Sequence, residues 1–319
     1  MKAAIVVETG KTPVYGDFRE PVPATGEARI DVRAAALSHL TKGRASGTHY
    51  SSDATVPFIV GVDGVGRLQD GKRVYFVRPE APWGAMAERT VVRPQQCVPV
   101  PDDLDDVTAA AIANPGMSVW AAFRERAKLV KGENVMINGA TGSAGRLAVQ
   151  VAKYMGAKKV VATGRNAESL KGVDALGADV TIPLGDDGDA LEEALKEQFG
   201  GDGIDVVLDY LWGPSAERIL IAGAKAGKEA APIRFVQVGS LSAANITLPG
   251  AALRSSAIEL MGSGLGSVPI VGLLKCIGEF LKAVVPGGFQ VATRTARLAD
   301  VEKFWDVDTG TPRLVFLVG

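Results

Sequence analysis

The sequence predicts an α/β protein of two domains, one a doubly wound parallel sheet and the other rich in short strands. The chain has 319 residues, which is more than one hydrophobic core usually organises. Apolar strands alternate with helical patterns after residue 116, and short strands punctuated by Gly and Pro precede them. We predict a first domain at 1–115, completed by 265–319, and a second at 116–264.

Composition narrows the functional classes. The chain is 47% hydrophobic and 22% charged, which is typical of a folded α/β protein and not of a disordered one. Its net charge of −1 and pI of 6.2 provide no basic field for nucleic acid or an anionic membrane. The start MKAAIVVETG is too short an apolar run for a signal peptide, and the sequence predicts no transmembrane span. We therefore predict a small-molecule substrate, with neither nucleic acid nor a membrane as partner.

The two cysteines, Cys97 and Cys276, lie far apart and outside any CxxC pattern. Such usage does not predict a disulfide framework. It favours a reducing compartment, and we predict a cytoplasmic location.

The first domain begins with short strands at regular spacing. Their Gly and Pro punctuation predicts a barrel-like or sandwich module. Asn114-Pro115-Gly116 predicts a break that ends it. The predicted strands are KAAIVVE (2–8), EARIDVRAAAL (27–37), FIVGVDGVGRL (58–68), KRVYFV (72–77), MAERTVV (86–92) and CVPVP (97–101).

The second domain consists of strands that are continuously apolar rather than alternating. That pattern is expected when a parallel sheet is covered on both faces, and right-handed βαβ units then give a doubly wound sheet. A helix at 270–284 and strands within 291–298 and 313–319 follow and return to the first domain. The predicted strands are NVMING (134–139), KKVVATG (158–164), DVTIPL (179–184), GIDVVLDY (203–210), IRFVQVGS (233–240) and SAIELMGSG (256–264).

A glycine turn, NGATGSAG (138–145), separates the first of these strands from a helix. Its spacing predicts a Rossmann dinucleotide site, in which Gly142 lets the backbone approach a pyrophosphate and Gly145 lets the helix pack on the strand. The phosphates would meet free N–H groups at the helix N-terminus. A tight connection without a ligand is the alternative. The predicted cofactor contacts here are Ala140, Thr141, Gly142, Ser143, Ala144 and Gly145.

The second strand of the sheet ends in Gly164, followed by Arg165 and Asn166. An Asp or Glu at this tip would bind the ribose 2′-hydroxyl of NAD and repel a 2′-phosphate. Glycine leaves room for a 2′-phosphate, and a guanidinium can bind a phosphate with two hydrogen bonds. The tip therefore predicts NADPH as cofactor, with a solvated loop arginine as the alternative.

Four stretches together resemble the medium-chain dehydrogenase/reductase superfamily, in its zinc-independent quinone oxidoreductase branch. The resemblance covers essentially the whole chain. It implies a Rossmann domain beside a β-rich GroES-like substrate domain, and a homodimer paired through IELMGSG (258–264). The stretches are VPFIVGVDGVGRL (56–68), GATGSAGRLAVQVAK (139–153), LGADVTI (176–182) and LADVEKFWDVDTGTPRLVFLV (298–318).

The zinc alcohol dehydrogenases share that fold and hold their catalytic metal with Cys, His and Cys. The corresponding stretches of this chain carry Ser38-His39, Val62-Asp63 and Asn114-Pro115. A structural zinc needs four closely spaced ligands, and the sequence has no such cluster. We therefore predict that neither zinc site is present.

Without zinc, a strong Lewis acid that would activate an alcohol is missing. Hydride transfer from NADPH then favours an electron-poor acceptor, such as a quinone or an α,β-unsaturated carbonyl. The resemblance places Tyr50, Ser38 and Thr41 on the substrate side, and Gly43 stands where that family has a second tyrosine. It places Val238, Gly239 and Ser240 near the nicotinamide, together with Gly264, for which a plain turn is the alternative.

The sequence thus predicts an NADPH-dependent, zinc-independent reductase of quinones or α,β-unsaturated carbonyls. One alternative is a catalytically idle NADPH-binding protein, either a redox sensor or a structural protein. The other is a zinc-type alcohol dehydrogenase, which the missing ligands disfavour.

Overall fold

A computed structural model of the chain describes residues 1–49, 52, 55–185, 188–307 and 310–319. The chain divides into unit one, Met1–Pro115 with Leu274–Gly319, and unit two, Gly116–Leu273. The chain returns to unit one later than the position 265 that the sequence suggested. The turn after the last strand of unit two stays with that unit, since the Ser263 N–H donates to the Gln237 carbonyl of the neighbouring strand at 2.8 Å.

Strands and helices are numbered along the chain. The strands are β1 (Lys2–Val6), β2 (Val14–Asp17), β3 (Ala28–Ala36), β4 (Phe58–Ile59), β5 (Asp63–Leu68), β6 (Arg73–Val77), β7 (Arg89–Val92), β8 (Cys97–Pro99), β9 (Asn134–Asn138), β10 (Lys159–Gly164), β11 (Val180–Pro183), β12 (Val206–Asp209), β13 (Ile233–Gln237), β14 (Ile258–Gly262), β15 (Thr293–Arg297) and β16 (Arg313–Leu317). The helices are α1 (His39–Ala45), α2 (Asp106–Ala121), α3 (Ser143–Tyr154), α4 (Ala167–Asp174), α5 (Gly188–Gly200), α6 (Gly213–Ala226), α7 (Gly250–Arg254), α8 (Ile270–Val284) and α9 (Val301–Phe304).

Unit one is built on a mainly antiparallel sheet with the strand order β15-β16-β3-β5-β6-β8, in which β7 also pairs with β3. A smaller sheet has the order β2-β1-β4. Strand β16 pairs antiparallel with β3, so the end of the chain completes the sheet that the N-terminal strands begin. The core of this unit includes Val32, Leu37, Phe76, Leu298, Trp305 and Phe316.

Helix α2 runs through Asn114-Pro115-Gly116, so the predicted break in secondary structure is wrong, although the boundary between the two units falls at this point. Pro115 removes one N–H donor from the helix, a change that usually kinks or ends it. The preceding residues, Ala109 to Ala113, are almost fully buried, as is Val119 beyond the proline. We attribute the continuity of the helix to this burial on both sides of Pro115.

Unit two contains a parallel sheet with the strand order β11-β10-β9-β12-β13-β14. Numbered within the unit, this is the 3-2-1-4-5-6 order of a Rossmann fold, and the predicted fold class is confirmed. The order reverses between β9 and β12, and ligands of such sheets bind outside the carboxyl ends of the strands at that reversal. Met136, Val161, Leu195, Phe199, Val207 and Phe235 belong to the core on one face of the sheet.

Helix α8 alternates buried apolar and charged positions. Ile277, Phe280 and Leu281 are buried, whereas Lys275 and Glu279 form an ion pair of 3.8 Å one turn apart. Its pattern is that of an amphipathic helix. Across the described part of the chain, no helix has both the length and the apolar character needed to cross a bilayer.

Candidate dinucleotide and substrate sites

The glycine turn lies at the carboxyl end of β9, beside the reversal of the sheet. Gly142 is the N-cap of α3, with φ −76° and ψ 166°. Apart from its neighbours and its own helix, no described atom lies within 4 Å of the position that a Cβ on Gly142 would occupy. Open space therefore faces the first turn of α3, whose N–H groups have no partners within the helix.

The position of a Cβ on Gly145 is crowded, unlike that on Gly142. A Cβ on this residue would overlap the Gly139 carbonyl oxygen and lie 2.7 Å from the Ala140 Cα. Helix α3 thus packs directly on the turn that precedes it. Because the crowding atoms belong to the backbone, a larger residue cannot be accommodated by a rotamer change.

The other predicted residues of the turn form its frame. The Ala140 N–H donates to the Thr163 carbonyl of β10 at 2.8 Å, which ties the turn to the neighbouring strand. Ser143 is buried at the start of α3, whereas Thr141 and Ala144 are half-buried. The structure thus gathers the predicted residues 140–145 at one end of the sheet.

The tip of β10 lies against this turn. A Cβ on Gly164 would lie 2.5 Å from Thr141 Cγ2 and 3.1 Å from Leu170 Cδ2, so no larger side chain fits here without movement. Arg165 is exposed. The Asn166 carbonyl oxygen of the side chain accepts from the N–H groups of Glu168 and Ser169 at 2.9 and 3.1 Å, as the N-cap of α4. Asn166 keeps only its amide hydrogens for a ligand.

A buried polar network spans the reversal of the sheet. Asn138 Nδ2 donates to Asp209 Oδ1 at 2.7 Å, and Thr163 Oγ1 donates to Asn138 Oδ1 at 2.6 Å. The same carboxylate accepts from the N–H groups of Leu211 at 3.0 Å and Trp212 at 3.1 Å. The network therefore links the ends of β9, β10 and β12.

Burial raises the pKa of the Asp209 carboxyl, and hydrogen bonds from Trp212, Leu211 and Asn138 act in the opposite direction. We did not predict Asn138, Thr163 or Asp209 as site residues. Their signal in the sequence is a polar residue at or near the end of an otherwise apolar strand.

The segment after β13 is also fixed by Asp209. The N–H groups of Val238 and Gly239 both donate to its backbone carbonyl, at 2.7 and 3.1 Å. A Cβ on Gly239 would lie 2.8 Å from the Tyr210 carbonyl oxygen, so the close approach requires glycine. Ser240 follows and is exposed.

Gly264 lies in a turn just beyond β14. Its N–H donates to Ser267 Oγ at 2.7 Å, and the same hydroxyl donates back to the Gly264 carbonyl. The Ser263 N–H donates to the Gln237 carbonyl at 2.8 Å, which holds this turn beside the end of β13. The backbone of Gly264 is therefore used by the turn itself.

An open pocket of ≈ 360 Å³ lies at the carboxyl ends of β13 and β14. No residue that lines it among those described carries a charge. The lining residues are Trp212, Gln237, Ser240, Ala244, Leu260, Met261 and Gly262.

In unit one, the structure brings Ser38 and Thr41 together. Ser38 is the N-cap of α1 and accepts from the Thr41 N–H at 3.1 Å, and the two hydroxyl oxygens are 3.0 Å apart. Both side chains are buried. Tyr50, the third predicted catalytic residue, lies outside the described residues.

A second buried polar cluster surrounds Asp63 in unit one. The Tyr75 hydroxyl donates to Asp63 Oδ2, and the Asn114 side chain is also hydrogen-bonded to this carboxyl. The positive charge of the Arg313 guanidinium acts on Asp63 and Tyr75, and among the described residues its Nε and Nη2 have no hydrogen-bond partner. The sequence analysis considered Val62-Asp63 and Asn114-Pro115 only as stretches that correspond to those of the zinc ligands.

Burial has the largest effect on the pKa values of the groups in this cluster. It raises the pKa of Asp63, although hydrogen bonds from Tyr75 and Asn114 and the Arg313 charge favour the carboxylate. Burial also raises the pKa of the Tyr75 phenol and lowers that of Arg313. The cluster therefore combines a carboxyl and a guanidinium that are both poorly solvated.

Comparison with known proteins gives a consistent result. The family described as zinc-binding dehydrogenase matches residues 144–277. A probable NADPH-dependent quinone reductase, tdiC of Emericella nidulans, is 27% identical over 362 residues, covering 99% of this chain and 100% of that protein. The quinone oxidoreductase of Pongo abelii is 28% identical over 224 residues, 66% of each chain.

Solved structures share the fold. A mycobacterial quinone oxidoreductase superposes with a TM-score of 0.85 at 21% identity, covering 99% of both chains. An NAD-dependent alcohol dehydrogenase gives a TM-score of 0.83 at 23% identity, covering 100% of both. At these identities the likeness concerns the fold alone.

These similarities confirm the predicted resemblance to the medium-chain dehydrogenase/reductase superfamily, in its quinone oxidoreductase-like branch, and the relatives named here are oxidoreductases. The sequence resemblance extends beyond the Rossmann unit, because the alignment with tdiC spans nearly the whole chain.

The residues at the positions that the family resemblance aligns with zinc ligands do not suit a zinc ion. Zinc prefers thiolate, imidazole or carboxylate ligands, whereas the corresponding positions carry Ser38, Val62 and Asn114. Within the described residues, no three His, Cys, Asp or Glu side chains are grouped so that they could hold a metal. The Asp63 carboxyl accepts a hydrogen bond from the Tyr75 hydroxyl and is also hydrogen-bonded to the Asn114 side chain.

Gly145 and Gly142 should differ in their tolerance of alanine. Gly145→Ala should lower the free energy of unfolding by about 1–3 kcal/mol, because its Cβ would overlap backbone atoms. Gly142→Ala is the matched control and should change it by about 0.5 kcal/mol or less, since its surroundings are open and its φ is ordinary. Urea unfolding followed by circular dichroism measures both. Equal losses would contradict the direct packing of α3 on the turn.

Asp63 should make the stability of unit one depend on pH. Since its folded pKa is raised, the stabilisation from this group is complete below the unfolded pKa of about 3.9 and is lost as the pH rises through the folded pKa. The free energy of unfolding of the wild type should therefore fall relative to that of Asp63→Asn as the pH rises from about 4 towards neutrality.

The control for this experiment is Asp31→Asn, which removes a half-exposed carboxylate of β3. Urea unfolding at a series of pH values gives the comparison. Parallel curves for the wild type and Asp63→Asn would show that Asp63 is not protonated more readily in the folded chain.

Proposed function

We propose that this protein is an NADPH-dependent, zinc-independent reductase of quinones or α,β-unsaturated carbonyls. The observation that carries the proposal is the tip of β10. The residue there, Gly164, has no carboxylate side chain, and the next residue, Arg165, is exposed. The names of two relatives support it, since tdiC is described as a probable NADPH-dependent quinone reductase and another relative, from a Burkholderia species, as 2-haloacrylate reductase.

The geometry fits a dinucleotide with a 2′-phosphate. The open space at Gly142 faces the N-terminus of α3, where a pyrophosphate would accept N–H hydrogen bonds. Arg165 would clamp the 2′-phosphate at the tip of β10, and the Asn166 amide can add a donor. Val238, Gly239 and Ser240 would lie along the nicotinamide end, held by the Asp209 carbonyl.

When bound, NADPH supplies a hydride to the electron-poor carbon of a conjugated acceptor. Negative charge then develops on the acceptor oxygen, and hydrogen-bond donors must meet it there if no metal does. We propose that Ser38, Thr41 and Tyr50 provide these donors. The hydroxyls of Ser38 and Thr41 share one hydrogen bond, so one of their two O–H groups can still donate.

We also propose a homodimer that pairs through β14. This strand stands at the end of the sheet order, and no described strand pairs with its outer edge. Light scattering on the purified protein gives the molar mass that decides this.

A screen of NADPH oxidation tests the function. In the presence of a chelator, the protein should reduce quinones and enones, and saturated aldehydes and simple alcohols should be poor substrates. Elemental analysis should find no stoichiometric zinc. Faster oxidation of ethanol-like alcohols, or loss of activity with removal of zinc, would favour a zinc alcohol dehydrogenase. Binding of NADPH without turnover of any acceptor would favour a redox sensor or structural protein.

Arg165→Ala should change cofactor choice. Loss of a charge-assisted contact costs about 1.5–3 kcal/mol, so the affinity for NADPH should fall roughly ten- to hundredfold while that for NADH changes little. Lys171→Ala is the control, because it removes an exposed positive charge from the adjacent helix α4. Calorimetric titration with both dinucleotides measures the effect. Equal affinity of the wild type for NADH and NADPH would contradict the assignment of Arg165.

A further inference from the structure

Trp212 has a backbone conformation that tryptophan rarely adopts. Its φ of 59° and ψ of −159° lie at the border of a region that is essentially restricted to glycine. Residues in such conformations cluster at active sites and ligand clamps, where the surrounding structure holds them. Here Asp209 does so, since its carboxylate oxygens both accept from the Trp212 N–H at 3.1 Å.

The Trp212 indole ring lies between the core of unit two and an open pocket. It meets Phe235 edge-on in the core of unit two, with ring centroids 6.3 Å apart. It is also half-exposed and forms a wall of the open pocket of ≈ 360 Å³ at the ends of β13 and β14. The volume falls within the range of roughly 300–1,000 Å³ that small-molecule sites occupy.

The chemistry of the pocket limits what it can bind. Leu260, Met261 and Ala244 add apolar walls, and the polar groups that line it, Ser240 and Gln237, are neutral. Gln237 Nε2 uses one hydrogen to donate to the Gly239 carbonyl at 2.8 Å, which leaves its second hydrogen, its side-chain oxygen and the Ser240 hydroxyl. An indole ring beside neutral polar groups suits an uncharged planar ring that carries oxygen atoms. None of these lining residues is a cation, and the Arg126 guanidinium beside the pocket already donates to the Gly262 carbonyl at 2.8 Å.

We infer that Trp212 is a specificity-determining residue that stacks on the ring of a neutral, planar, bicyclic quinone. The inference rests on the proposed function and deepens it, because it selects aromatic quinones over small acyclic or anionic enones. Ser240, which we propose lies near the nicotinamide, also lines the pocket. A hydride from NADPH and a proton from solvent would then convert the quinone to its hydroquinone, and NADPH would be oxidised to NADP⁺.

The test compares Trp212→Gly, Trp212→Ala and Trp212→Phe. Glycine and alanine both remove the ring, but only glycine adopts the observed backbone without strain, whereas phenylalanine keeps an aromatic face. Leu253→Ala, an exposed leucine of α7 outside the pocket lining, is the control. The probes are 1,4-naphthoquinone and methyl vinyl ketone.

With Trp212→Gly and Trp212→Ala, the KM for 1,4-naphthoquinone should rise about three- to tenfold, and that for methyl vinyl ketone should not change. The Kd of naphthoquinone in the presence of NADP⁺, where no turnover occurs, should rise by the same factor. Trp212→Phe should restore most of both values. The melting temperature of Trp212→Gly should exceed that of Trp212→Ala by about 2 °C or more, since glycine relieves the backbone strain.

Two outcomes separate this inference from the proposed function. If the wild type reduces naphthoquinone but the variants change the KM for both acceptors equally or for neither, Trp212 has no role in specificity and the inference is overturned. If the wild type reduces enones but no quinone, the inference is likewise overturned while the proposed reductase stands. Failure of the wild type to reduce any conjugated acceptor would overturn both.

Discussion

The site in unit two depends on a single buried aspartate at the reversal of the sheet. The Asp209 carboxylate accepts from Asn138 on β9 and from two N–H groups of the turn after β12. Its backbone carbonyl accepts from the first two residues after β13. A buried carboxylate is costly unless it is fully hydrogen-bonded, and these donors compensate it. One residue therefore fixes the relative positions of three segments that a ligand at the carboxyl edge would meet.

The glycines of this edge have two physical functions. Gly145 and Gly239 allow backbone segments to touch, because a Cβ on either would press against backbone atoms. Gly142 has open space instead, so its missing side chain leaves room for something that is not protein. Gly164 is crowded by side chains instead, since a Cβ there would lie 2.5 Å from Thr141 Cγ2, and glycine places no carboxylate at the strand tip. Close packing below the turn and open space above it are what a phosphate-binding edge requires.

Much of unit two could be predicted from the sequence, because continuous apolar strands, helical periodicity and the spacing of Gly142 and Gly145 are local patterns. The helix through Pro115 could not, since burial of the flanking residues overrides the usual effect of proline. The partners of Asp63 and Asp209 were also missed. Each lies at a strand end and binds residues far away in the chain, such as Asn138, 71 positions from Asp209. Such pairings depend on strand order, which local periodicity does not contain.

The buried carboxyl groups of the two units, Asp209 and Asp63, have different kinds of partner. In unit two, Asp209 is surrounded by neutral donors whose geometry the sheet sets; their hydrogen bonds favour the carboxylate, but burial still raises its pKa. In unit one, Asp63 accepts from Tyr75 and Asn114, and the buried Arg313 lies near enough to act on it electrostatically, although its Nε and Nη2 lack partners among the described residues. A poorly solvated guanidinium near a carboxyl supplies positive charge without the lone-pair ligands that a metal requires. At the positions that the family resemblance aligns with zinc ligands, this chain carries Ser38, Val62 and Asn114, and the adjacent Asp63 is bound by Tyr75 and Asn114.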